Sequence, residues 1–226
     1  MLAVHGCVLG LADAGEAHAR QALTWAERRE CAALPGAARR ADYRAGRLAA
    51  KRAVGRLAAI GVDLTAGGSE LAALRRICAC RRPGAPPLAR TRAARRRWCP
   101  APVALSLAHR DGRGVAAAGP LGVRVGVDVE RLGAVAETHV RYFAGAVERA
   151  RGPRDAAELW ALKEAAWKAL ALDASAAVAL RVLALEFDAA GDVEAVVARG
   201  RRVPVRATLL RPWREHVVAV VVAGAP

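Results

Sequence analysis

The most constraining stretch of this chain is Val123-Arg124-Val125-Gly126-Val127-Asp128-Val129-Glu130, in which every odd position is Val and every even position is polar or Gly. A period of two over eight residues predicts a strand with one apolar, buried face. The other face carries Asp128 and Glu130, two residues apart, so their side chains project the same way and can converge on one hard cation. Paired acids on an exposed strand face are usually just solvated, so a second signal is needed.

That signal lies some thirty residues on, in Trp160-Ala161-Leu162-Lys163-Glu164-Ala165-Ala166-Trp167-Lys168. The pattern predicts a helix from about Asp155 to Leu172, with Leu159, Leu162 and Ala166 inward and Glu164 and Lys168 one turn apart. Trp160 and Trp167 fall seven apart on it and read as core.

A first strand is expected over residues 2–9 and a helical stretch from about Ala17, with Leu23 and Trp25 on its buried face, broken by Pro35-Gly36. The spacing then predicts an amphipathic helix over 41–60, with Tyr43, Leu48, Val54 and Leu57 on an apolar stripe and Arg44, Arg47, Lys51 and Arg52 on a cationic face. Residues 81–102 read as an exposed Arg-, Pro- and Ala-rich loop. Val103–Leu107, a turn at 110–114 and Val115–Ala118 make a hairpin ended by Gly119-Pro120. The last third, from Val178, reads as strands punctuated by Gly191, Gly200 and Pro212 and closing on Val217–Val222. The whole is an α+β alternation repeated loosely in both halves.

Composition narrows the class of protein. Thirty-six Lys and Arg against twenty-one Asp and Glu leave a formal charge of +15, which suits an anionic partner such as a phosphorylated ligand, nucleic acid or acidic protein. The aromatic complement of two Phe and two Tyr beside five Trp leaves aliphatic contacts to fill the core. Five cysteines, Cys7, Cys31, Cys78, Cys80 and Cys99, form no C-x-x-C pair and read as reduced thiols rather than a disulfide framework. The start has no basic leader, and no apolar run nears the length of a membrane span, so a cytoplasmic protein is expected.

Together, Val-Gly-Val-Asp-Val-Glu and Trp-x-x-Lys-Glu-x-x-x-Lys resemble the two signature motifs of the 4'-phosphopantetheinyl transferase superfamily. Gly46-Arg47-Leu48-Ala49-Ala50-Lys51 is similar to its N-terminal segment, and Ser106-Leu107-Ala108-His109 to its S-x-S-H segment. Tyr142-Phe143, Glu148-Arg149 and Gly84-Ala85-Pro86 also fit. The chain departs from the pattern at Ala108 (commonly Ser or Thr), Ala85 (often Lys) and Ala171 (frequently Gly). The resemblance implies a monomer of the two-lobed type, a pseudo-dimer of two similar α+β lobes over 1–119 and 120–226 with coenzyme A between them.

It also implies the chemistry. Phosphopantetheine would pass from coenzyme A to a serine of an acyl, polyketide or peptidyl carrier protein, releasing adenosine 3',5'-bisphosphate. Asp128, Glu130 and Glu164 would hold Mg²⁺, with Mn²⁺ able to substitute. Glu164 would stand as general base, and Lys168 would steady the leaving phosphate. Arg47 and Lys51, four apart on one helix face, would clamp the 3'-phosphate, with Arg40 as a further contributor. Lys163, Ser106 and His109 would complete the coenzyme A contacts. A basic nucleic-acid-binding protein, resting on the charge and the Arg92–Arg97 cluster, is the rival reading, though no recognisable binding module accompanies it. A zinc module on Cys78, Cys80 and Cys99 would need a fourth ligand not placed nearby.

Overall fold

The computed structural model describes residues 2–16, 19, 21–59, 103–120, 122–153, 155–172 and 180–224. The expected loop over 81–102, the arginine cluster and Cys78, Cys80 and Cys99 lie outside them. The chain is mixed α+β with two antiparallel sheets, and it divides into two compact units, Val8–Gly122 and Val123–Pro226 together with Leu2–Cys7. Among the described residues no helix is long and apolar enough to cross a membrane.

Strands β1 (Ala3–Val4), β2 (Cys7–Asp13), β3 (Val103–Arg110) and β4 (Arg113–Pro120) form a sheet in the order β1-β2-β4-β3. The single strand expected over 2–9 is in fact a tight hairpin. His5 and Gly6 both take positive φ, 50° and 77°, the two-residue turn whose twist matches its flanking strands. Asp111-Gly112 repeats that geometry between β3 and β4, at 50° and 74°.

Helix α1 (Trp25–Ala32) starts later than expected, because Thr24 and Glu27 close a capping box on each other's backbone, satisfying two otherwise orphaned N–H groups. Trp25, expected inward, is 65% exposed at the first helical position, with the Arg29 guanidinium over its ring. Helix α2 (Ala37–Ala59) begins directly after Gly36 and lies on the face of the sheet that carries Val8, Ala12, Val103, Leu107, Ala116 and Ala118. It approaches closely because Gly10 and Gly114 lack side chains: a Cβ on Gly10 would strike the Ala49 carbonyl, and one on Gly114 the Ala45 carbonyl.

In the second unit β5 (Arg124–Arg131) pairs antiparallel with β9 (His216–Ala223), and the sheet continues through β8 (Arg201–Trp213), β7 (Val193–Ala198) and β6 (Leu183–Phe187). Pro212, expected as a break, lies inside β8 where its register with β9 shifts, a position that tolerates a missing donor. Between β5 and β6 the described residues include helices α3 (Glu137–Phe143), α4 (Ala146–Arg151) and α5 (Ala156–Leu170). Asp155 caps α5 by accepting from Ala157 N at 2.8 Å, and Ala171 ends it in the left-handed region at φ 52°.

Candidate functional site

Strand β5 is buried on both faces, not only on its valine face. The physical reason is Gly126: a Cβ there would strike the Ala165 carbonyl and the Ala169 nitrogen of α5. The helix thus rests on the face that carries Gly126, Asp128 and Glu130. Opposite them on β9 stand Val221, Ala219 and Val217, all in the core that α5 closes. Asp128 is 4% and Glu130 8% exposed.

This packing brings strand and helix groups together. Lys168 Nζ donates to Asp128 Oδ1 at 2.5 Å and to the Val127 carbonyl at 3.1 Å, and lies 3.6 Å from Glu164 Oε2. One ammonium therefore bridges an acid from β5 and an acid from α5. Asp128 Oδ2 is buried with no hydrogen-bond partner among the described residues. Burial raises the Asp128 carboxyl well above the ordinary aspartate range, Lys168 opposes that rise, and the charges of Glu164 and Glu130 reinforce it. Asp128 thus senses both of the other acids. Among the described residues, however, no three His, Cys, Asp or Glu groups stand arranged as a ready metal cluster; the Lys168 ammonium lies between two of the acids.

Lys163, expected against coenzyme A, is turned into the protein. It is 1% exposed, its Nζ lies 2.9 Å from Glu148 Oε1, and it also donates to the Phe143 carbonyl. Desolvation lowers its pKa below that of an ordinary lysine, with Glu148 partly restoring it. Trp160 and Trp167 pack against the same core, Trp160 edge-on to Phe143 at 5.1 Å. A separate hollow lined by Glu137, Arg141, Arg149, Pro153 and Leu159 includes none of the expected site residues.

The remaining expected contacts belong to the first unit. Arg47, placed by its spacing on a solvent-facing cationic stripe, is 2% exposed and lies 3.5 Å from Glu30 and 4.0 Å from Glu27. Lys51 joins it, 2.6 Å from Glu27. Arg40 donates to the Leu34 carbonyl at 3.0 Å. Ser106 and His109 lie three apart on β3, and strand parity sends them to opposite faces. His109 shares the α2 side, its Nδ1 4.0 Å from Asp42, while Ser106 is buried on the other. Gly46 leaves the room for that imidazole, since a Cβ would come within 3.0 Å of its Cδ2.

Sequence reasoning missed Glu27 and Asp42. The signal for Glu27 was present as Thr24-Trp25-Ala26-Glu27, the T-x-x-E of a capping box; no pattern marked Asp42. No family model matches this sequence, and no curated protein matches it, so the functional reading rests on the residues themselves.

Proposed function

We propose that the chain is a magnesium-dependent 4'-phosphopantetheinyl transferase, a monomeric pseudo-dimer of two α+β lobes, acting on coenzyme A and a carrier-protein serine. The observation that carries this reading is the meeting of Asp128 from β5 with Glu164 and Lys168 from α5 through one ammonium, beside the unpartnered Oδ2 of Asp128. A buried carboxylate oxygen with free lone pairs, an all-oxygen donor set and mutually repelling charges suit a small hard cation. Asp128, Glu130 and Glu164 would hold it, and when bound it would supply charge neutralisation for pyrophosphate oxygens.

The chain's own groups account for the rest. Lys168, tethered to the Val127 carbonyl, can give its charge to a departing phosphate once a cation relieves it of Asp128. Glu164, half-buried at the solvent-facing end of this cluster, is positioned to take a proton from an incoming hydroxyl. His109, partly exposed beside Asp42, is a hydrogen-bond donor of the kind a phosphate oxygen accepts. The net charge of +15 favours approach of an acidic carrier protein over the chain's surface.

The test is transfer itself. Incubation with Mg²⁺, coenzyme A and a panel of apo carrier proteins is expected to add one phosphopantetheine group to a carrier, read by intact mass, with transfer lost on chelation. Tight, salt-dependent binding to DNA or RNA with no transfer to any carrier would favour the nucleic-acid reading instead.

A further inference from the structure

We infer that Glu148 and Lys163 form a positioning pair that sets the register of α5 on β5, so that Glu164 and Lys168 meet Asp128, and that Lys163 is not a ligand contact. Three backbone groups outside the pair complete it. Glu148 Oε2 accepts from Gly145 N at 2.7 Å, capping α4, and Oε1 accepts from Leu185 N of β6 at 2.9 Å. Lys163 Nζ reaches both oxygens, at 2.9 and 3.1 Å, and donates to the Phe143 carbonyl at the end of α3. The side chains are 1% and 3% exposed. An ammonium whose charge is compensated and whose donors are spent has nothing left to offer an anionic ligand. What it can do is fix where its helix sits. Glu164 is the next residue, about 100° further round the helix, and Lys168 stands one turn beyond Glu164.

A second, independent observation separates the pair from ligand binding. The first unit sets a buried cation at the matching place on α2. Arg47 stands two residues before Ala49, the residue against Gly10, as Lys163 stands two before Ala165, the residue against Gly126. Arg47 likewise faces a buried helix-capping acid of the preceding helix, Glu27, at 4.0 Å, with Lys51 closer to that acid at 2.6 Å. Yet where the second unit has Asp128 and Glu164, the first has Ala12 and Leu48. The buried cation on the helix recurs where the acids do not, so it belongs to the scaffold that presents them.

This inference rests on the transferase reading for its kinetic arm only. In the ligand-free protein, NMR of the lysine ammonium groups reports the Lys168 contact with Asp128. That contact is expected to be lost or displaced in Glu148→Gln, and its persistence there would overturn the inference whatever the protein's activity. In the kinetic arm, Glu148→Gln and Lys163→Met are each expected to lower kcat and Mn²⁺ affinity by about 10–100-fold, the scale of lost supporting interactions, while coenzyme A affinity stays within about twofold. Lys163→Arg is expected to recover most of the loss, as Arg47 fills the same place in the first unit. If Lys163 bound ligand, Lys163→Met would weaken coenzyme A binding with kcat retained, and Glu148→Gln, by freeing the ammonium, would tighten it. Either result refutes a positioning role. Glu148→Gln keeps one of the two acceptor oxygens and serves where Lys163→Met fails to fold.

Discussion

The two units solve one packing problem with the same parts and then diverge at two positions. In each, a strand glycine lets a helix lie directly on the sheet, Gly10 against Ala49 and Ala53, Gly126 against Ala165 and Ala169. In each, a helix cation reaches back to a strand carbonyl, Arg52 to Leu11 at 2.7 Å and Lys168 to Val127 at 3.1 Å. In each, a glutamate that caps its own helix is buried near a cation two residues before the contact alanine. The second unit adds Asp128 and Glu164 to this frame; the first has Ala12 and Leu48 and sends Arg52 to Glu16 instead. The shared parts are what hold a helix on a sheet, and the added acids have no counterpart in the first unit.

The sharpest way to break that comparison is to remove the added acids. Asp128→Ala and Glu164→Ala are expected to cut transfer by roughly a hundredfold or more, the scale of losing an essential electrostatic group, while the fold measured by circular dichroism survives. Full activity in either variant would make the acids incidental. Next in size are the shared glycines. Gly10→Ala and Gly126→Ala each drive a methyl into helix backbone, which cannot yield as a side chain can, and each is expected to cost about 1–3 kcal/mol or more in denaturant melts. A loss confined to one variant would mean that the two frames are not equivalent.

Much of this frame was legible in the sequence, and the limit is physical. The alternation around Asp128 and the helix through Glu164 could be read because periodicity depends only on local side-chain direction. Burial of both β5 faces could not, because it depends on a distant helix reaching Gly126. For the same reason the sequence puts Arg47 on an open cationic face, and the resemblance puts Lys163 against coenzyme A, where the fold buries both. Their acid partners stand twenty and fifteen residues earlier in the chain, and a pattern-based reading places any cation on the wet side. Ser106 and His109 could have been separated from sequence, since a spacing of three on a strand puts two residues on opposite faces.

A subtler test concerns the cost of the acids. Asp128 has its carboxyl raised in the folded protein, so the native state holds that proton more tightly than the unfolded chain. Its contribution is intact below the ordinary aspartate range and is lost as pH rises through the raised value. In the metal-free protein, Asp128→Asn is therefore expected to be the more stable, by a margin in thermal melts that widens with rising pH across that interval. A margin independent of pH would mean that Lys168 fully offsets the burial. The smallest effect expected is at Ala171, which ends α5 at φ 52°; Ala171→Gly relieves that conformation and should add about 1 kcal/mol to stability.

Asp128, Glu130 and Glu164 are proposed to hold a single divalent ion in place of the Lys168 ammonium. Electron paramagnetic resonance of Mn²⁺ titrated into the purified protein reads this without substrate. One equivalent bound, displaced by Mg²⁺ and lost in Asp128→Asn and Glu164→Gln, is the result the account predicts. No bound Mn²⁺, or binding unchanged in both variants, would contradict it.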